Sequence, residues 1–129
     1  MRRRVAFAVA LVAIVAAAPG PTTTRSSAAS GPERLLVRGL EYELRLSKQR
    51  LVPGRAIIQF VNGGEDAHDL RIQRLGGGRE FGFAELAPGE YESLDRRLRR
   101  KSRYVLWCSL SDHRALGMEA TLRTKKRRR

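Results

Sequence analysis

From Leu35 to Arg123 the chain shows no long apolar repeat of helical period. Its apolar residues come in short runs cut by turn residues at intervals of roughly ten positions, the pattern of strands rather than helices. In "LEYELRL", Leu40, Tyr42, Leu44 and Leu46 fall on one face of an extended chain, and Glu41, Glu43 and Arg45 on the other. Pro53-Gly54 makes a turn before "RAIIQFVN", a strand rich in β-branched residues that Asn62-Gly63-Gly64 ends. "HDLRIQRL" is the next strand, then come a Gly76-Gly77-Gly78 loop, a loose segment around Phe81 and Phe83, and a second turn at Pro88-Gly89. A strand from Tyr91 to about Leu98, "RYVLWC" and "MEATLR" complete the set. About seven short strands predict an all-β fold, an antiparallel β-sandwich. The triple glycine lacks the Lys-Ser/Thr that a phosphate cradle needs.

A chain of 129 residues with 42% hydrophobic and 6% aromatic content buries one core, so one small domain is expected over residues 31–124. Residues 1–30 are set apart as a leader: Arg2, Arg3 and Arg4 precede an apolar run from Val5 to Ala18, and a Pro/Thr/Ser/Ala-rich stretch follows. That is the outline of a secretory signal peptide, too short to span a bilayer comfortably, although an uncleaved copy would serve as a tether. Cleavage after Ala18 meets an unfavourable Pro19, whereas Ser27-Ala28-Ala29 is compatible but distant from the apolar run. The residues after the arginines fit a twin-arginine signal poorly, which leaves Sec-type export to a periplasmic or extracellular location as the expectation.

The net charge of +13 is distributed, not concentrated. Four arginines precede residue 30 and five basic residues, Lys125 to Arg129, form a C-terminal tail; removing those nine from 13 leaves about +4 for the domain. The tail either contacts anionic lipid or wall polymer or is simply solvated. "RRLRRKSR" at 96–103 marks an exposed edge or loop, or a docking surface for an acidic partner.

A single cysteine cannot form an internal disulfide, so in an exported chain Cys108 is either a small buried hydrophobe or a metal ligand. Strand periodicity helps to choose. Tyr104, Leu106 and Cys108 share a face, as do Met118, Ala120 and Leu122, so Cys108 and Met118 lie at inward-facing strand ends joined by the loop "SLSDHRALG". That loop can return His113 to the thiol, and His68 begins its own strand directly after "NGGEDA". One thiolate, two imidazoles and one thioether are a donor set suited to copper, and a His-His-Cys plane with a weak axial Met is the blue-copper arrangement. Structural zinc prefers four strong ligands at short local spacings and has little use for a thioether. The bland alternatives are an inert thiol, a hydrogen-bonded strand-end His68 and a core-filling Met118.

Two motifs carry a family resemblance. "FVNGGEDAHDL" is similar to an Asn-x-Gly-x-x-x-His segment, and "YVLWCSLSDHRALGMEATL" to a Tyr-x-x-x-Cys…His…Gly-Met closing segment, both of the cupredoxins, small blue copper proteins of the plastocyanin and azurin superfamily. The likeness runs from about Leu35 to Arg123, with Cys-x4-His-x4-Met spacing in the ligand loop. It implies a Greek-key β-sandwich and one type 1 copper ion held by His68, Cys108, His113 and Met118. In the family an Asn often follows the first histidine and ties the two ligand loops together; this chain has Asp69 there. The resemblance also implies an electron port at the second histidine, where Leu110, Ala115 and Leu116 would form an apolar patch with Arg114 at its rim. Trp107, on the opposite face from Cys108, either packs or passes electrons.

His68 and His113 are the only histidines, so a second, histidine-rich copper centre has no ligands within this chain, and one cysteine cannot bridge two coppers. The expected function is single-electron shuttling between redox partners, acidic ones if Arg114 guides docking, by a monomer that is not an enzyme. The rivals are copper storage, delivery or sensing, a metal-free structural domain, and an anionic-polymer binder. Nucleic acid is not expected as a partner, because the sequence lacks the aromatic stacking surface typical of single-strand binders and export is expected.

Overall fold

A computed structural model describes residues 31–125. The leader, its apolar run and cleavage positions, and the tail from 126 to 129 lie outside the described residues. Nine strands form in chain order: β1 (Glu33–Leu40), β2 (Glu43–Leu46), β3 (Arg50–Leu51), β4 (Gly54–Asn62), β5 (His68–Arg74), β6 (Phe81–Leu86), β7 (Tyr91–Leu98), β8 (Arg103–Trp107) and β9 (Glu119–Thr124). Among the described residues there is no helix, and so none long and apolar enough to cross a membrane.

The strands form two sheets, ordered β2-β1-β4-β7 and β3-β9-β8-β5-β6. Alternation puts Leu35 and Val37 of β1 and Ala56, Ile58 and Phe60 of β4 on the inner face of the first sheet. Leu70 and Ile72 of β5, Leu106 of β8 and Leu122 of β9 meet them from the second, and all are essentially inaccessible to water. The expected all-β sandwich forms, with mixed rather than purely antiparallel sheets: β1 runs parallel to β4, and β3 to β9. Residue alternation says which way a side chain points but not the direction of the neighbouring strand, which the crossover connections set.

Three local features differ from the sequence reading. "LEYELRL" is not one strand: it folds into a two-residue turn at Glu41-Tyr42 between β1 and β2, with Tyr42 at a φ of 60° and Leu40 paired with Glu43. No Gly, Pro or Asn announces that turn, and the alternation runs through it. Around Phe81 and Phe83 a true strand, β6, pairs with β5; between His68 and Leu70 its register skips from Leu86 to Phe83. The extra residue lets Phe83 and Leu86, three positions apart, both face inward. Finally, β8 is buried on both faces from Tyr104 to Trp107, because the far face of Trp107 lies under the Arg114 guanidinium, 4.5 Å from the ring centroid.

β7 is an edge strand, and Arg96 and Arg97 stand exposed along it. Arg96 and Arg97 thus guard a sheet edge against pairing with another chain, while residues 99–102 of the charged run form the turn into β8. At the end where β1 begins, Glu33 accepts a hydrogen bond from Lys48 Nζ at 3.0 Å and another from the Val52 amide at 3.4 Å, tying β1 to the β2–β4 connection. These partners, the Lys48 bond foremost, hold its carboxyl below the usual carboxylate value.

Two stability outcomes follow. Phe60→Ala is expected to cost about 3–5 kcal/mol in chemical denaturation, since Phe60 is fully buried and packs on Phe83. Glu33→Gln is expected to cost about 0.5 kcal/mol at neutral pH. Because the folded pKa of Glu33 is depressed, that difference should be complete above about pH 4.5 and vanish as pH falls through the folded value, read from denaturation midpoints across that range.

Candidate metal centre

The strand registers bring one end of each main strand to the same end of the sandwich: Gly39 faces Asn62, His68 faces Leu86, and Trp107 faces Glu119. His68 opens β5 there, Cys108 follows β8, and Met118 precedes β9. The imidazole of His68 is completely buried; its Nδ1 lies 3.2 Å from His113 Nδ1, and that atom lies 3.5 Å from Cys108 Sγ. One donor atom from each of the three falls within 4.8 Å of the others. Met118 is fully buried beside them, its amide donating to the His113 carbonyl and its carbonyl accepting from the Cys108 amide.

Three lone-pair donors crowded together fit a shared cation better than one another. Two neutral imidazoles can share one proton at most, and the thiol is a weak donor. Burial, with the nearby Asp69 carboxylate, pushes the Cys108 thiol upward, and the Asp69 and Leu110 backbone amides offset this only in part. Burial, together with the neighbouring His113, lowers the pKa of His68 and keeps it neutral, the form in which a ring nitrogen binds metal. Nitrogen and soft sulfur in this combination suit one copper ion.

Solved structures share this architecture. An auracyanin from the photosynthetic bacterium Roseiflexus castenholzii, in its dithionite-reduced form, superposes with a TM-score of 0.56 at 18% identity, over 73% of this chain and 98% of that one. Rusticyanin from Thiobacillus ferrooxidans gives 0.55 at 17% identity, over 74% and 79%. Both are cupredoxins. This chain has the cupredoxin fold. A copper-containing nitrite reductase from Thermus scotoductus matches over 74% of this chain but only 32% of its own length, with a TM-score of 0.54 at 16% identity. No family model matches the sequence, and no curated protein is significantly similar to it.

The three donors are held in place by hydrogen bonds of Asn62 and Asp69. Asn62 is buried and knots the loop ahead of His68: its amide nitrogen donates to the Asp66 and Leu86 carbonyls at 2.8 and 2.9 Å, and its oxygen accepts from the Gly64 amide. Asp69 makes the tie between the ligand loops that Asn often makes, by a different chemistry: its carboxylate accepts from the Ser109 amide at 2.6 Å and from the Ser109 hydroxyl. An acceptor suffices there because Ser109 supplies both donors.

Glu41 and Tyr42, which the alternation assigns to the two faces of a strand, are instead brought over the site by the unannounced β1–β2 turn. Glu41 accepts from the Glu65 and Asp66 amides, and its carboxylate stands 3.6 Å from His68 Nε2, the one buried side-chain polar atom without a hydrogen bond among the described residues. That is beyond hydrogen-bond length, but a negative charge there favours the Nε2–H tautomer and leaves Nδ1 free to ligate. Tyr42 meets the His113 ring edge-on at 5.7 Å. Of the residues expected to surround His113, Leu110 packs against the core and Leu116 is half-exposed. Arg114 is paired with Glu119 at 2.5 Å as well as stacked on Trp107, so Trp107 packs beneath a neutralised guanidinium.

Gly64 sits where these parts meet. A Cβ on it would overlap the Glu41 carboxylate and come within 2.8 Å of His68 Nε2. Gly64→Ala is therefore expected to lower copper affinity about 10- to 100-fold, measured by competition with a chelator, while the far-ultraviolet spectrum is unchanged.

Proposed function

We propose that this protein is an exported type 1 copper protein that carries single electrons between redox partners. The observation that carries the reading is the convergence of His68 Nδ1, His113 Nδ1 and Cys108 Sγ at the end of a rigid sandwich. In this reading those three would be the strong ligands, and Met118, buried beside them, would offer a weaker thioether donor. Copper bound there would supply a reversible one-electron couple.

The chain's own residues do the rest. His68, Cys108 and Met118 are closed to solvent, which keeps water from the site, while His113 is only partly covered and offers a route to the surface. Fixed backbone bonds across the ligand loop, from His113 to Leu110 and from Met118 to His113, limit movement of the donors between oxidation states. Two histidines, both in this site, leave no ligands in the chain for a second copper centre of the kind that catalysis uses. Arg114 is neutralised by Glu119, and the exposed carboxylates Glu41, Glu65, Asp66 and Asp112 outnumber the exposed Arg38 at this end, so the balance of charge around His113 favours a partner with a basic docking face over the acidic one that Arg114 alone suggested. The leader motif of residues 1–30 supports export.

Copper-loaded protein should show an intense visible thiolate-to-copper absorption that bleaches and returns on reduction and oxidation. Cys108→Ser should abolish the band. A colourless complex that gives up copper readily to a chelator would instead support storage or delivery, and failure to take up stoichiometric copper would overturn the metal site itself.

A further inference from the structure

Folding separates charges that are interspersed in the sequence. Of the 13 acidic residues, three lie toward the end of the sandwich remote from the metal centre, and each is paired: Glu33 with Lys48, Glu80 with Arg71, Asp95 with Arg55. At the metal-centre end stand Glu41, Glu65, Asp66, Asp112 and Glu119. At the remote end, where Gly54 faces Leu98 and Arg74 faces Tyr104, one surface hollow is lined by Arg55, Arg74, Arg97, Arg99, Arg100 and Lys101, its one carboxylate, Glu33, being paired with Lys48. Apart from Arg55, none of these basic side chains has a carboxylate partner among the described residues. His68 and Arg74 bound β5, so the two ends stand about 20 Å apart at the usual strand rise.

Both ends of the described chain reach this basic end. Gly31 and Pro32 line the same hollow, and the residues before them include the apolar run Val5 to Ala18. Thr124 is hydrogen-bonded to the Arg99 carbonyl and the Ser102 amide, and the Lys125 amide to the Leu51 carbonyl, so the basic segment Lys125 to Arg129 starts from the hollow's edge. The exposed tyrosines, Tyr42 and Tyr91, lie at the opposite end, so the basic surface lacks the aromatic platform on which unpaired bases stack.

We propose that this basic end docks on an anionic phospholipid surface, which turns the metal-centre end away from the membrane. The inference rests on charge and chain path and holds whether or not the site carries electrons. Clustered arginines and lysines within a Debye length of an anionic leaflet each strengthen binding several-fold, whereas approach by the carboxylate-bearing end would bring those charges within the same length and be repelled. The molecule is thereby oriented as well as held.

The test compares full-length protein with the triple variant Arg97→Gln, Arg99→Gln, Arg100→Gln, all exposed and outside the metal centre. Partitioning is measured on vesicles of phosphatidylcholine alone and of phosphatidylcholine with phosphatidylglycerol. The leader is common to both proteins, so any contribution it makes cancels in the comparison. The unmodified chain should prefer the anionic vesicles, and the variant should lose about 100-fold of that partitioning, at roughly five-fold per charge. Trp107, the only tryptophan and located at the metal-centre end, should escape quenching by brominated lipid. Undiminished partitioning of the variant overturns the proposal. So does quenching of Trp107, or tighter binding of the unmodified protein to duplex DNA than to the anionic vesicles at equal salt.

Discussion

Two imidazole nitrogens and a thiol sulfur are held within 4.8 Å of one another where solvent scarcely reaches. Left to themselves these donors would separate or find hydrogen-bond partners, because each loses hydration on burial and gains little from the others. The surrounding structure has to impose their proximity. It does so with backbone groups more than with side-chain packing: Cys108 and Met118 exchange a main-chain bond across the mouth of the ligand loop, and the Asn62 side chain fixes the loop that delivers His68. The Asp69 bridge to Ser109 then locks one ligand loop to the other. A donor cage built on paired strands and buried hydrogen bonds is stiff, and stiffness favours tight copper binding.

The same economy of placement governs charge. The metal-centre end carries carboxylates, two of whose neighbours are the amides of Glu65 and Asp66 bound to Glu41, while the remote end carries unpaired arginines. A net charge of +13 gives no hint of this division, and a uniformly basic molecule would not be oriented by an electric field. With the division, encounter with a charged surface or partner favours one attitude over others. The metal centre and the basic end are thus coupled through orientation, although no contact joins them.

Much of the fold could be read from alternation, and the places where it misled share a cause. In "RAIIQFVN" the period-two signal and the flanking turn residues agree, and β4 runs as expected with Ala56, Ile58 and Phe60 inward. In "LEYELRL" the alternation continues across a turn that has no sequence marker, so Glu41 and Tyr42 read as strand residues when they cap the site. In β6 the bulge breaks the period, which disguised a strand as a loop. Trp107 does point away from Cys108 as the alternation says, and Arg114, folded back from the ligand loop, covers it, a contact no periodicity could show.

The sequence by itself determined the class of fold and the inventory of donors, because period-two patterning is a local property and Cys108, His113 and Met118 are near enough in the chain to be linked by one loop. Tertiary structure alone decided which strands run parallel, that Asp69 would find Ser109, that Glu41 would stand over His68, and that the charges would part to opposite ends. Each of these depends on which strand ends meet across the sandwich, a choice made by the packing of the whole core and written in no short stretch of the chain.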